Sequence, residues 1–197
     1  MKTLMIFVVG FGCICVTGTA VEGEVQRRSG LYLSAADYRD RRLTAEGDCG
    51  SKAHKLELHD VLNKSYVHLT HGSEKVRYEK NEIFGFLACD GSDYRFDLNQ
   101  EYRILETRQL YIYLHDQYVS VGKSRHIVQV YYFSVGPTGQ ILQLMLQNLK
   151  EAFPANHSFH DSLDQTFGAG QHLEQYDDFH KMFKVNRLLI AATPPSQ

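Results

Sequence analysis

Between residues 30 and 144 apolar and polar side chains alternate in short runs, and turn-forming residues separate the runs. Successive side chains of an extended strand point to opposite faces, so this pattern predicts strands with one buried face. The runs fall at 30–34, 54–59, 66–70, 75–80, 83–89 and 93–97. Breaks lie at Asn63-Lys64-Ser65, His71-Gly72-Ser73, Asp90-Gly91-Ser92 and Leu98-Asn99-Gln100. Residues 37–42 are dense in alternating charge and predict a solvated turn or a single helical turn.

Two longer runs, 101–115 and 125–135, form the centre of the pattern. In the first, Leu110, Ile112 and Leu114 share one face, and Tyr111 and Tyr113 share the other. In the second, Ile127, Tyr131, Phe133 and Val135 share a face opposite Val128, Val130 and Tyr132. β-Branched and aromatic residues of this kind suit the middle of a sheet. Gly136-Pro137-Thr138-Gly139 is turn chemistry and makes 130–144 a hairpin.

After residue 145 the period changes. Ile141, Met145, Leu149 and Phe153 have helical spacing, and Pro154 stops the helix. A second helix carries Phe159, Leu163 and Phe167 on one stripe and ends at Gly168 and Gly170. Residues 173–191 predict a third helical segment that includes Tyr176, Phe179 and Phe183. The expected fold is therefore α+β. It is an antiparallel meander, a partly closed barrel or a sandwich, followed by two to three C-terminal helices packed on the sheet. No long crossover helix separates the strands, which argues against a parallel α/β fold.

The first residues read differently. Lys2 precedes an apolar stretch from Leu4 to Val16, and Gly18-Thr19-Ala20 places small residues at a cleavage site. This order predicts a secretory signal over residues 1–20 with cleavage near Ala20, and hence a secreted or periplasmic protein. A lipoprotein at Cys13 would need a better lipobox than Gly10-Phe11-Gly12. The remaining roughly 175 residues are expected to form one domain, β-rich over 30–144 and helical over 145–192. No later segment has the length and apolarity of a transmembrane helix. A net charge of −2 gives no electrostatic footprint for nucleic acid.

Four cysteines are present, and two of them, Cys13 and Cys15, belong to the signal. Cys49 and Cys89 remain as a pair in an oxidising compartment, which predicts a disulfide; two free thiols are the alternative.

No P-loop, G-x-G-x-x-G or G-x-S-x-G motif is present, so no cofactor is expected. His157, His160, Asp161 and Asp164 lie three or four residues apart on the second helix and are the candidate metal ligands. The same residues also read as an ordinary polar helix face. His54, His59, His68 and His71 form a second group near strands and turns that could meet across a hairpin; each also reads as an ordinary surface or satisfied core histidine. Asp90, Asp93 and Asp97 lack the spacing of a calcium loop. Tyr111, Tyr113, Tyr131 and Tyr132 are a candidate surface for a protein, peptide or glycan, unless the C-terminal helices cover them. The functional expectation is a non-enzymatic binding or interaction module. A metal-dependent secreted hydrolase using the helix His/Asp group is the alternative.

Overall fold

A computed structural model describes residues 27–59, 63–122, 124–168 and 172–193. The predicted signal over residues 1–20 lies outside the described residues. The fold is α+β: a large antiparallel sheet, a small one, and helices toward the C-terminus.

The chain begins with strand β1 (Arg28–Tyr32), a short helix α1 (Ala35–Arg39) and strand β2 (Thr44–Asp48). Ser34 caps α1 by accepting the amide of Asp37. The chain then leaves the sheet and forms a three-stranded sheet from β3 (His54–Glu57), β4 (Tyr66–His71) and β5 (Glu74–Glu79). A 3-10 turn at Lys80–Glu82 returns it to the large sheet. There β6 (Gly85–Leu87), β7 (Asp93–Asp97), β8 (Gln100–Thr107), β9 (Leu110–Val121) and β10 (Ser124–Val135) run as a meander. Strand β11 (Leu142–Gln143) adds one edge, and β6 pairs with β1 on the other side, giving the order β11-β10-β9-β8-β7-β6-β1-β2. Among the described residues the order begins at β11 and ends at β2, with no pairing between these two edge strands.

The C-terminal part holds α2 (Leu146–Ala152), α3 (His157–Phe167), a small hairpin of β12 (Tyr176–Asp177) and β13 (Met182–Phe183), and α4 (Lys184–Ala192). The expected third helix over 173–191 is thus corrected. Its first half is a turn and hairpin in which Tyr176 and Phe183 are cross-strand partners. Asp177 accepts the amides of Phe179 and His180 and so makes the turn. The single run expected at 101–115 is also two strands, broken at Arg108-Gln109, and β9 continues through the segment expected to be a polar connection.

Cross-strand partners share a face of a sheet. Leu31, Phe86, Tyr94, Arg103, Leu114 and Tyr131 are successive partners across β1, β6, β7, β8, β9 and β10. They therefore mark one face, and two different elements cover it. At the β1 end, Val67 and Leu69 of the small sheet pack with Leu31, Phe86 and Phe96. At the β10 end, Leu149, Phe159, Leu163, Val185 and Leu189 of the helices pack with Leu110, Ile112 and Phe133. Buried Asn186 secures the helical cover: its Nδ2 donates to Leu110 O (2.9 Å) and Glu106 Oε1 (2.6 Å), and its Oδ1 accepts the Leu110 amide (2.8 Å).

On the opposite face Tyr32, Tyr38 and Phe84 form a smaller cluster beneath α1. Beside it, buried Arg95 donates to Tyr113 (3.1 Å), Ser134 (3.2 Å) and Gly139 O (2.9 Å), joining β7, β9, β10 and the turn after β10. The Sγ atoms of Cys49 and Cys89 stand at disulfide distance, 2.14 Å, linking the end of β2 to the end of β6. No helix among the described residues is long and apolar enough to cross a membrane.

Candidate ligand-binding cleft and histidine cluster

The two covers leave a gap. Beside the small sheet, the face marked by Tyr94, Arg103 and Leu114 borders a cleft of about 550 Å³. Phe86, stacked on Tyr94 at a centroid distance of 4.7 Å, supplies an apolar floor together with Leu114. One wall is Leu58 and Asn63, from the segment that joins β3 to β4. Asn99 and Gln100, at the β7–β8 turn, form the rim, and Gln100 Nε2 donates to Asn63 Oδ1 across the gap (3.2 Å).

The far wall is the outer part of the β9–β10 hairpin. Cross-strand pairing with β8 ends at Leu114, while the two long strands stay paired to Val121 and Ser124. The hairpin therefore projects as a two-stranded arm. Asp116, Tyr118 and Gln129 of this arm line the cleft, and Gln129 Nε2 donates to Asp116 Oδ1 (3.2 Å). Tyr118 is 70 % exposed. At the cleft base Glu101 pairs with buried Lys80 (2.7 Å), so this carboxylate stands close to a positive charge. The lining thus combines ring faces, carboxamides, the Arg103 guanidinium, the His115 imidazole and the carboxylates of Glu101 and Asp116.

The four tyrosines singled out from sequence are not brought to one surface. Tyr113 is fully buried against Arg95 and Ser134. Tyr111 is half-buried and packs at the edge of the Tyr32/Tyr38/Phe84 cluster. Tyr131 lies on the helix side, 6.3 Å from the Phe183 ring. Tyr132 lies on the opposite side, 5.1 Å from the Tyr102 ring, and accepts a hydrogen bond from Gln117. Burial, and then Tyr132, push the Tyr102 phenol up to about 12. The C-terminal helices therefore reach one of the four, Tyr131. The exposed cleft tyrosine, Tyr118, lies in the segment that the polar pattern predicts to be a connection, so alternation does not single it out.

On α3, His157 and His160 have ring centroids 5.9 Å apart on the side facing away from the core. His160 Nε2 donates to Phe153 O (2.9 Å), and Asp164 is held by Lys150 at 2.6 and 2.7 Å. Asp161 is exposed.

The second histidine group does assemble across the β3–β4 pair. His54 and His71 are cross-strand partners with ring centroids 5.9 Å apart. His54 shares a hydrogen bond with Ser29 Oγ through Nε2 (2.8 Å), and its buried Nδ1 finds no partner among the described residues. Further along, His59 Nε2 and His68 Nδ1 are 2.9 Å apart, and Glu57 Oε2 is 3.9 Å from the same His68 nitrogen. Among the described residues, this is the group in which three potential ligand atoms converge, all within 4.8 Å of one another. No protein-family model, no curated protein and no solved structure matches this chain, so its site is read from its own residues.

Proposed function

We propose that the protein is a secreted, non-enzymatic binding module, and that the cleft between the small sheet and the hairpin arm takes a neutral, ring-bearing polar ligand of the sugar class. The observation that carries this reading is the lining. Ring faces at Tyr94 and Tyr118, the first backed by buried Phe86, lie beside the carboxamides of Asn63, Asn99, Gln100 and Gln129. A sugar ring offers C–H surfaces for aromatic faces and hydroxyls for carboxamides, which both donate and accept. A cleft of several hundred Å³ with a few polar groups around an apolar floor matches the scale of small-molecule sites. Secretion is supported by the apolar stretch ending in Gly18-Thr19-Ala20 and by the cysteine pair.

The hydrolase reading is less favoured, because His160 and Asp164 are committed to Phe153 and Lys150. The test is a glycan array probed with the oxidised protein, followed by calorimetry of each hit. Tyr118→Ala and Gln129→Ala are expected to weaken binding tenfold or more without altering the fold, and the bound glycan should be recovered intact. An array without hits, or hits that both variants bind normally, would overturn the proposal.

A further inference from the structure

The small sheet has two faces with different chemistry. Val67 and Leu69 point into the core, and Leu56 and Leu58 pack beside them. The alternate residues therefore form the outer face. There Glu57, His68 and Arg77 are successive cross-strand partners on β3, β4 and β5. His59 follows β3 in the left-handed region (φ 59°), and its ring meets that of His68 at 83° with centroids 5.1 Å apart.

We propose that Glu57, His59 and His68 form a binding site for a divalent transition-metal cation of the zinc class. The donor atoms are Glu57 Oε2, His59 Nε2 and His68 Nδ1, two imidazole nitrogens and one carboxylate oxygen. Two ligand atoms on one tetrahedral zinc at 2.0–2.1 Å stand about 3.3 Å apart. The 2.9 Å between the two imidazole nitrogens and the 3.9 Å from His68 to Glu57 bracket that spacing. Shifts of about half an ångström, within the reach of side-chain rotation, bring both to it. The cation takes the place of the single proton that the two imidazoles share, and the fourth position is left to solvent.

The surroundings fit an exchangeable site. All three ligands are half-buried, so the ion has an open approach. Two ammonium groups, those of Lys55 and Lys75, flank the Glu57 carboxylate. Lys55 binds Oε1 (2.8 Å) and Lys75 binds Oε2 (2.7 Å), so Lys75 competes for the oxygen the cation needs. Arg77 is turned away, pairing with Glu79 and stacking 3.9 Å over Tyr66. The site does not depend on the cleft reading, and glycan binding by the metal-free protein tests that reading separately.

The experiment is a zinc chloride titration of the full oxidised chain against a weak chelator. One equivalent is expected to bind. His59→Ala and His68→Ala should each lower affinity at least tenfold, and Glu57→Gln severalfold. Lys75→Met should raise it severalfold, because it frees Oε2 and removes a positive charge. His160→Ala should leave affinity unchanged. Circular dichroism of each variant in chelator keeps loss of binding separate from loss of fold. Zinc uptake no stronger than in a His59→Ala/His68→Ala double variant, loss of binding in His160→Ala, or weaker binding in Lys75→Met would each overturn the proposal.

Discussion

Replacing Cys49 and Cys89 together by serine should lower global stability by about 4 kcal/mol. The size follows from the loop the bond closes. The sequence separation is 40, and the loop contains all three strands of the small sheet. With a chain-entropy cost that grows as the logarithm of loop length, such a closure restrains the unfolded chain by ~4 kcal/mol. For a domain of this size each kcal/mol shifts the melting temperature by about 2–4 °C, so a fall of about 8–16 °C is expected. The effect should be global and not local. In the native sheet β1 lies between β2 and β6 and pairs with both, so hydrogen bonding already holds the two ends of the loop close. Opening the small sheet alone leaves those ends in place, and the covalent bond adds nothing to that step. Its contribution is realised only when β1, β2 and β6 come apart. Thermal unfolding followed by circular dichroism measures the first quantity. Amide exchange at Val67 and Leu69 in mild native conditions measures the second. A melting temperature within about 2 °C of the parent would refute the entropy argument. So would faster native exchange confined to the small sheet. Two titratable thiols in the unreduced, denatured parent would remove its premise.

Two further perturbations test the packing. Asn186→Leu should cost about 2–4 kcal/mol in urea denaturation, because it strips hydrogen bonds from the buried Leu110 amide and from Glu106; a change below about 0.5 kcal/mol would show that α4 is held by apolar contacts alone. Burial, and next the neighbouring His71, hold the His54 imidazole below its ordinary 6.5, against smaller opposing effects of Ser29 and Asp48. A base depressed in the folded state contributes its full stability above pH 6.5 and loses it as pH falls through the folded midpoint. Unfolding free energies at pH 7 and pH 5 should therefore fall more for the parent than for His54→Gln, and parallel losses would refute the assignment.

Much of the fold is legible in the alternation, because a strand with one buried face writes its period directly into the sequence. The misreadings share a physical cause. At Thr107-Arg108-Gln109 the chain turns without Gly, Pro, Asn or Asp, and the register shift between Ile104 and Glu106 disturbs the alternation just before it. Nothing local distinguishes this break from a continuing strand. At the C-terminus, Tyr176 and Phe183 are seven residues apart, which is two helical turns. The same separation also places them opposite each other in a tight hairpin, with ring centroids 5.5 Å apart. Phe179, which would complete the helical stripe, is instead 88 % exposed at the turn. The deciding signal was Asp177, whose carboxylate caps the turn amides.

Site residues are harder to read, because ligand geometry depends on long-range register. Helical spacing guarantees that His157, His160, Asp161 and Asp164 neighbour one another, but neighbours on an exposed helix are open to other partners. Lys150 and the Phe153 carbonyl took two of the four. In an antiparallel pair the residue numbers of partners have a constant sum. His54 with His71 and Glu57 with His68 both obey the register of β3 and β4. A tight turn would have fixed that sum from sequence alone. The connection from residue 58 to 65 is too long to do so, and several registers place histidines near one another. The burial of Leu56, Val67 and Leu69 with Leu31, Phe86 and Phe96 excludes the registers that would turn Glu57 and His68 inward, and the observed pairing places these two opposite each other on the outer face. The outward placement of the candidate metal ligands is thus set by the core on the opposite face of the same strands. A volume change at Val67 or Leu69 is therefore expected to act on zinc affinity without touching a ligand.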